Sequence, residues 1–281
     1  MNTFTTEVRH QDRISERIMS GPGASEIPQF KLLTILLMFT WPAVWYLLLI
    51  YTLVGLFVPE GEVVPTWLFL AVIALGAGLE GTVGLLLLRR EGYRMQLADL
   101  RERIHWHWPR GWKGWGIASL VLVAAMALSM ATGSLNAMLA GIPGFVPPPW
   151  WPAASNPLVE VNSAAGYFPD VTLEGNFGFL LLYFVVGLVC NVFAEEIYYR
   201  GYLLPRMHGV FGRWAWVANG LGFTLKHLYQ RWLYPGILVG GLAFAFAAGP
   251  LGSLPLAMVY HWVGNFLFQL IFLVLAVCGI G

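Results

Sequence analysis

Two glutamates stand side by side at Glu195-Glu196, near the end of an apolar run that begins around Phe177. Arg200 follows Glu196 by four residues, so those two share a helix face and can pair. Glu195 lies about 100° round the same helix and needs another partner. Two later apolar runs carry further reactive side chains. Phe223 and His227 lie in one, His261 and Asn265 in the other, and each pair is four residues apart. An ionisable group at the centre of a helix in hydrocarbon costs about 2.5–3.5 kcal/mol. Carboxylates, imidazoles and a carboxamide are the types that move protons, hold a water or bind a metal.

The segments that must position these groups are apolar almost throughout. Hydrophobic residues make up 58% of the 281, charged residues 11%, and mean hydropathy is +0.66. A soluble domain carries about 25% charge. Several runs exceed the ~18 residues that cross a bilayer. The fold class is therefore all-α, a polytopic transmembrane bundle of about seven to eight spans with an amphipathic interfacial helix. Residues 1–30 read as a cytosolic tail. Residues 31–175 hold the N-terminal spans, from about Lys31 to Val58, Thr66 to Leu88 and Trp112 to Ala140. Pro42 is expected to kink the first. Residues 176–281 form the core, with a span from Asn176 through the glutamates and a fifth from Trp214 to Leu233. A short, glycine-rich sixth runs from Pro235 to Ala248, and a seventh from Leu254 to Cys278.

Two connectors stand out. Residues 89–113 are rich in arginine, with Leu97, Leu100, Ile104 and Trp108 at helical spacing, and Trp106, Trp108, Trp112 and, just beyond, Trp115 crowd the end. This predicts an amphipathic helix on the membrane surface, cytosolic by the positive-inside rule, which places the N-terminus inside. His105 and His107 read there as interfacial residues. Residues 142–175 carry no Lys or Arg but seven prolines and the pair Trp150-Trp151, an extracytosolic loop that can cap the bundle or hold a partner, its plainest reading being a poorly ordered connector.

Several other signals are set aside. Gly76 to Gly81 fits G-x-G-x-x-G, but no βαβ unit surrounds it. The small residues Ala74, Gly78 and Thr82, or Ala77 and Gly81, suit close helix packing instead. Glu80 in that span is expected to pair with another helix or lie near the rim. Cys190 and Cys278 give neither a disulfide framework nor metal spacing. No basic block points to nucleic acid. Asp12, Asp99 and Asp170 are the only aspartates and none lies in a span, so no aspartyl dyad is available. Inverted halves, as in transporters, are not visible. Counted from the assigned cytosolic ends, Glu195 lies about 11 residues deep, His227 about 14 and His261 about 7, at 1.5 Å per residue. The three can share one cavity.

The motifs Glu195-Glu196-x-x-x-Arg200, Phe223-x-x-x-His227 and His261-x-x-x-Asn265, in order and in apolar context, resemble the CPBP family. This is the CAAX-protease and bacteriocin-processing group, also called Abi, which includes the type II CAAX prenyl endopeptidases. The resemblance covers about residues 176–270. Tyr199 stands where Phe commonly precedes the Arg, and Lys226 adds a charge beside His227, free to snorkel, pair with a lipid phosphate or tune His227. The resemblance implies an intramembrane endopeptidase acting on a prenylated CAAX-type C-terminus or a membrane-associated peptide, in a prokaryotic cell membrane. Its implied catalytic set is Glu195 as base, His227 holding the water, and His261 and Asn265 as oxyanion donors. Glu196, Arg200 and Phe223 support them. No cofactor is expected; the alternative is Zn²⁺ on Glu195, His227 and His261. A competing class is a non-proteolytic immunity or scaffold protein of the same fold, and a further one haem or ion binding by His227 and His261.

Overall fold

Residues 27–91 and 97–280 are described by a computed structural model. The tail before residue 27, with its cytosolic placement, and the stretch 92–96 around Arg94 lie outside the described residues. Every long apolar run becomes a helix: α1 (Leu32–Phe57), α2 (Thr66–Arg90), α4 (Gly111–Ala131), α5 (Gly133–Ala140), α6 (Phe177–Arg206), α8 (Tyr234–Ala248) and α9 (Leu254–Val277). Shorter helices include α3 (Leu97–Arg103) and α7 (Ala215–Lys226). No strand occurs among the described residues. Among the described residues six helical segments are long and apolar enough to cross a membrane, roughly in line with the seven to eight spans expected. Their outward faces are apolar, with Leu33, Leu37, Leu120 and Val123 exposed.

Helix α1 continues through Pro42 without a break. A proline there leaves the Met38 carbonyl without its helical donor. The Tyr198 hydroxyl on α6 donates to that carbonyl at 2.8 Å and receives the Trp41 indole N–H at 2.6 Å. The gap in the helix ladder is thus filled from a neighbouring helix.

Four regions differ from the sequence expectation. The helical part of 89–113 is only α3. Beyond it the chain turns at His105, whose φ is +55°, and Ile104 is buried against the bundle. So His105 and His107 are not on a helix. Desolvation first, then His107 and Arg103, hold the His105 imidazole below its ordinary range. Trp108 and Trp112 remain exposed, as an aromatic belt requires. The third span breaks at Thr132 into α4 and α5. The fifth span ends early: α7 stops at Lys226, His227 is its C-cap, and a 3₁₀ segment, Leu228–Leu233, turns the chain into α8. A helix of 12 residues spans about 18 Å, well short of a bilayer core.

The fourth difference is the 142–175 segment, which is a packed cap rather than a poorly ordered connector. Trp151 is buried and meets Trp232 edge-on at 4.9 Å, while the Trp232 indole donates to the Ser155 carbonyl at 3.0 Å. Asp170 accepts from the Thr66 amide at 2.9 Å and so caps α2. Its prolines fix turns rather than leave it loose.

Helix α2 lies directly on α6. A Cβ on Gly81 would come within 2.6 Å of the Ala194 Cβ and 2.7 Å of its Cα. Nothing lies within 4 Å of Gly78, so the Ala77–Gly81 face makes the contact rather than Ala74–Gly78–Thr82. Gly81→Ala is expected to push α2 off α6 and cost about 1–3 kcal/mol, the usual penalty for overpacking. Thermal unfolding in detergent measures it, and an unchanged midpoint would refute the close approach.

Candidate functional site

Helix α6 carries the glutamates on a single regular turn, Ala194–Glu196, between two wider π-helical stretches, Val186–Phe193 and Ile197–Leu203. Such π segments tend to occur where side chains must be re-aimed at a functional site. Glu195 and Glu196 are both buried, and they turn to different partners. Glu196 Oε1 accepts from Arg200 at 3.0 Å, as the four-residue spacing predicts. Arg200 also donates to the Gly241 carbonyl at 3.2 Å and lies 4.1 Å over the Phe223 ring. That reach needs α7 and α8 in close contact. A Cβ on Gly241 would sit 3.0 Å from the Gly220 carbonyl, so both positions favour glycine.

The partner of Glu195 is Lys226. Its Nζ lies 2.7 Å from Glu195 Oε1 and 3.3 Å from Glu80 Oε1, with all three side chains out of solvent. Lys226 therefore does not snorkel and does not reach a lipid phosphate. Glu80 pairs across helices, as expected of it. The ammonium is walled by aromatic faces, Tyr46 at 4.9 Å and Tyr199 and Phe223 each at 5.2 Å. Such cation–π contacts replace part of the hydration that Lys226 gives up.

The two histidines complete the floor. His261 is buried on α9, with Nδ1 2.9 Å from Glu196 Oε1 and Nε2 3.7 Å from Glu195 Oε2. A carboxylate can only accept, so Nδ1 carries the proton. The ring stacks on Phe244 at 4.6 Å. His227 Nδ1 donates to the Phe223 carbonyl at 2.7 Å, which leaves Nε2 as the lone-pair nitrogen of the neutral ring. Phe223 packs edge-on against both imidazoles, at 4.7 Å from His227 and 5.9 Å from His261. Asn265, one turn beyond His261, is exposed on the same cavity.

Glu195, His227, His261 and Asn265 line one cavity of about 690 Å³. Asn191, one turn before Glu195, lines it too. It runs from the glutamates to the cap at Trp151–Pro157. Among the described residues no Lys, Arg or Asp lines it, and Glu195 is its one carboxylate. The opposite end is tied together. Arg206 is buried and donates to Glu91 and to the Tyr202 carbonyl, and the Leu254 amide donates to the His105 carbonyl at 3.1 Å. The cavity extends towards the cap rather than towards the basic 89–113 segment.

Sequence spacing brought the motif residues together correctly but missed the Lys226–Glu195 contact, the Phe244 stack and Tyr46. The only available signal was Lys226 itself, a cation in an apolar run with no anion within reach on its own helix. Among the described residues no three His, Cys, Asp or Glu side chains group so as to hold a metal ion. Removing one partner of a buried ion pair costs about 3–5 kcal/mol. Arg200→Met is therefore expected to lower the thermal unfolding midpoint sharply, by leaving Glu196 uncompensated. A midpoint within error of the wild type would contradict the pairing.

Neither a curated protein nor a solved structure matches the chain. Its long apolar helices make it an integral membrane protein. Residues 177–267, a segment that contains all seven motif residues, match the Rce1-like family model, type II CAAX prenyl endopeptidases, and so bear out the resemblance to CAAX-type intramembrane proteases.

Proposed function

We propose that the protein is an endopeptidase that hydrolyses a peptide bond inside the membrane, with Glu195 as the base. The observation that carries this is the convergence of Glu195, His227, His261 and Asn265 on one cavity. Lys226 occupies Glu195 Oε1, so Oε2 is the oxygen left to take a proton from water. His227 Nε2 accepts from the same water and fixes its direction. The hydroxide attacks the carbonyl, and the proton held on Glu195 passes to the leaving amine. The Asn265 carboxamide and His261 Nε2, as imidazolium, donate to the oxyanion. Glu196 holds the ring through Nδ1, and Arg200 with Phe223 holds Glu196 and the ring in place.

The substrate proposed is a membrane-associated peptide or a prenylated CAAX-type C-terminus. The cavity supports it: its volume lies in the range of ligand sites, and beyond the catalytic groups its walls are mainly aromatic, aliphatic and amide, with no Lys or Arg among the described residues. A prenyl chain or aliphatic side chains suit such walls. The competing Zn²⁺ arrangement needs Glu195 as a ligand. An ammonium 2.7 Å from that carboxylate opposes a second cation there, which supports water activation by the carboxylate itself.

The test uses the full chain in lipid nanodiscs and an internally quenched peptide ending in farnesyl-cysteine and three further residues. Glu195→Ala is expected to lower kcat by about 10²–10⁴, the usual contribution of a positioned base. Asn265→Ala is expected to lose about 10²–10³, as for one oxyanion donor. Cleavage by Glu195→Ala at the wild-type rate, with normal expression, would sink the protease reading and favour a scaffold or immunity role.

A further inference from the structure

We propose that Glu80 and Lys226 are positioning residues for Glu195, together deciding which carboxylate oxygen faces the cavity. The inference rests on the reading of Glu195 as the base. Neither residue lines the cavity; both stand behind Glu195. The arrangement follows from a close contact between two helices. Gly81 on α2 meets Ala194 on α6, and each is next to a glutamate, Glu80 and Glu195. That contact forces two carboxylates into the same dry region. Lys226, at the end of α7, supplies the cation for both, at 2.7 Å from Glu195 Oε1 and 3.3 and 3.4 Å from the two Glu80 oxygens.

The unequal distances matter. Lys226 holds Glu195 by one oxygen at hydrogen-bond range and Glu80 by both at longer range. A single short contact fixes the rotation of the Glu195 carboxylate and turns Oε2 towards His261 Nε2, 3.7 Å away. Glu80 holds Lys226 from the α2 side, so that the ammonium is shared between two carboxyl groups. Other groups facing this cluster do not take that task. Arg200 is committed to Glu196 and Gly241, His227 to the Phe223 carbonyl, and Tyr46 and Tyr199 present ring faces to the ammonium. If the Glu80–Lys226 pair served stability alone, apolar residues would serve as well, since buried pairs replaced by packed apolar groups are often neutral or more stable.

The experiment measures kcat and KM on the farnesylated quenched peptide for Glu80→Gln, Lys226→Met, Lys226→Arg and the double variant Glu80→Gln/Lys226→Met, with Glu195→Gln as control. Each protein is the full chain in nanodiscs and is assayed once it elutes as a single species. Lys226→Met leaves two carboxylates facing each other, and kcat is expected to fall about 100-fold with KM within about twofold, within the span a positioned base contributes. Lys226→Arg keeps the charge and is expected to retain most of kcat. The double variant removes the repulsion but not the lost tether. It is expected to recover about tenfold over Lys226→Met and to stay about tenfold below wild type, a coupling that independent sites do not show. Because it is neutral at both positions, the double variant carries the test even where Lys226→Met fails to fold. Wild-type kcat in the double variant or in Glu80→Gln, while Glu195→Gln is inactive, overturns this inference and leaves the proposed function standing. An active Glu195→Gln overturns the function itself.

Discussion

Two adjacent carboxylates inside hydrocarbon oblige the bundle to bring cations to them. The effective penalty for a buried ion is several kcal/mol, and it is recovered only by partners with good geometry. Here the obligation is met twice. Arg200 serves Glu196 from the same helix, and Lys226 serves Glu195 from another while also holding Glu80. Much of the remaining architecture serves these pairings. The Gly81–Ala194 contact sets the spacing of α2 and α6, and the Gly220–Gly241 contact lets Arg200 reach a carbonyl on α8.

The aromatic residues around the site follow from the same constraint. Phe223 lies under Arg200 and beside both imidazoles, Phe244 stacks on His261, and Tyr46 faces Lys226. Rings exclude water, yet offer cations a negative face. They allow a dense charge cluster without opening the bundle to solvent on that side. On the other side the cavity begins, and there the free edges of Glu195, His227 and His261 meet Asn265. The cluster is thus dry behind and open in front.

What could be read from the sequence was local. The Glu196–Arg200 pair follows from four-residue spacing, the Ala77–Gly81 face from small residues at the same interval, and the α2, α6 and α9 spans from length and hydropathy. That Glu80 could pair with another helix was also legible, because an unpaired carboxylate in an apolar run is costly. The identity of its partner was not, since Lys226 lies 146 residues away and only tertiary packing brings the two together. The early end of α7 was hidden as well. Residues 228–233 mix Leu228, Tyr229, Trp232 and Leu233 with Gln230 and Arg231, a composition that can continue a helix, and the turn at His227 is accompanied by contacts such as Trp232 on Trp151. For the same reason the proline-rich 142–175 segment read as loose, although its tryptophans anchor it to the bundle end.

Hydrolysis by a carboxylate-activated water is most directly tested by a single turnover in H₂¹⁸O. Full-length protein, dialysed against a chelator, would be mixed in excess over the farnesylated peptide and the products weighed by mass spectrometry. The expected result is one ¹⁸O atom in the new carboxylate, at a rate the chelator does not change. Cleavage abolished by the chelator and restored by Zn²⁺, or no cleavage of this peptide or of any apolar membrane peptide, would contradict it.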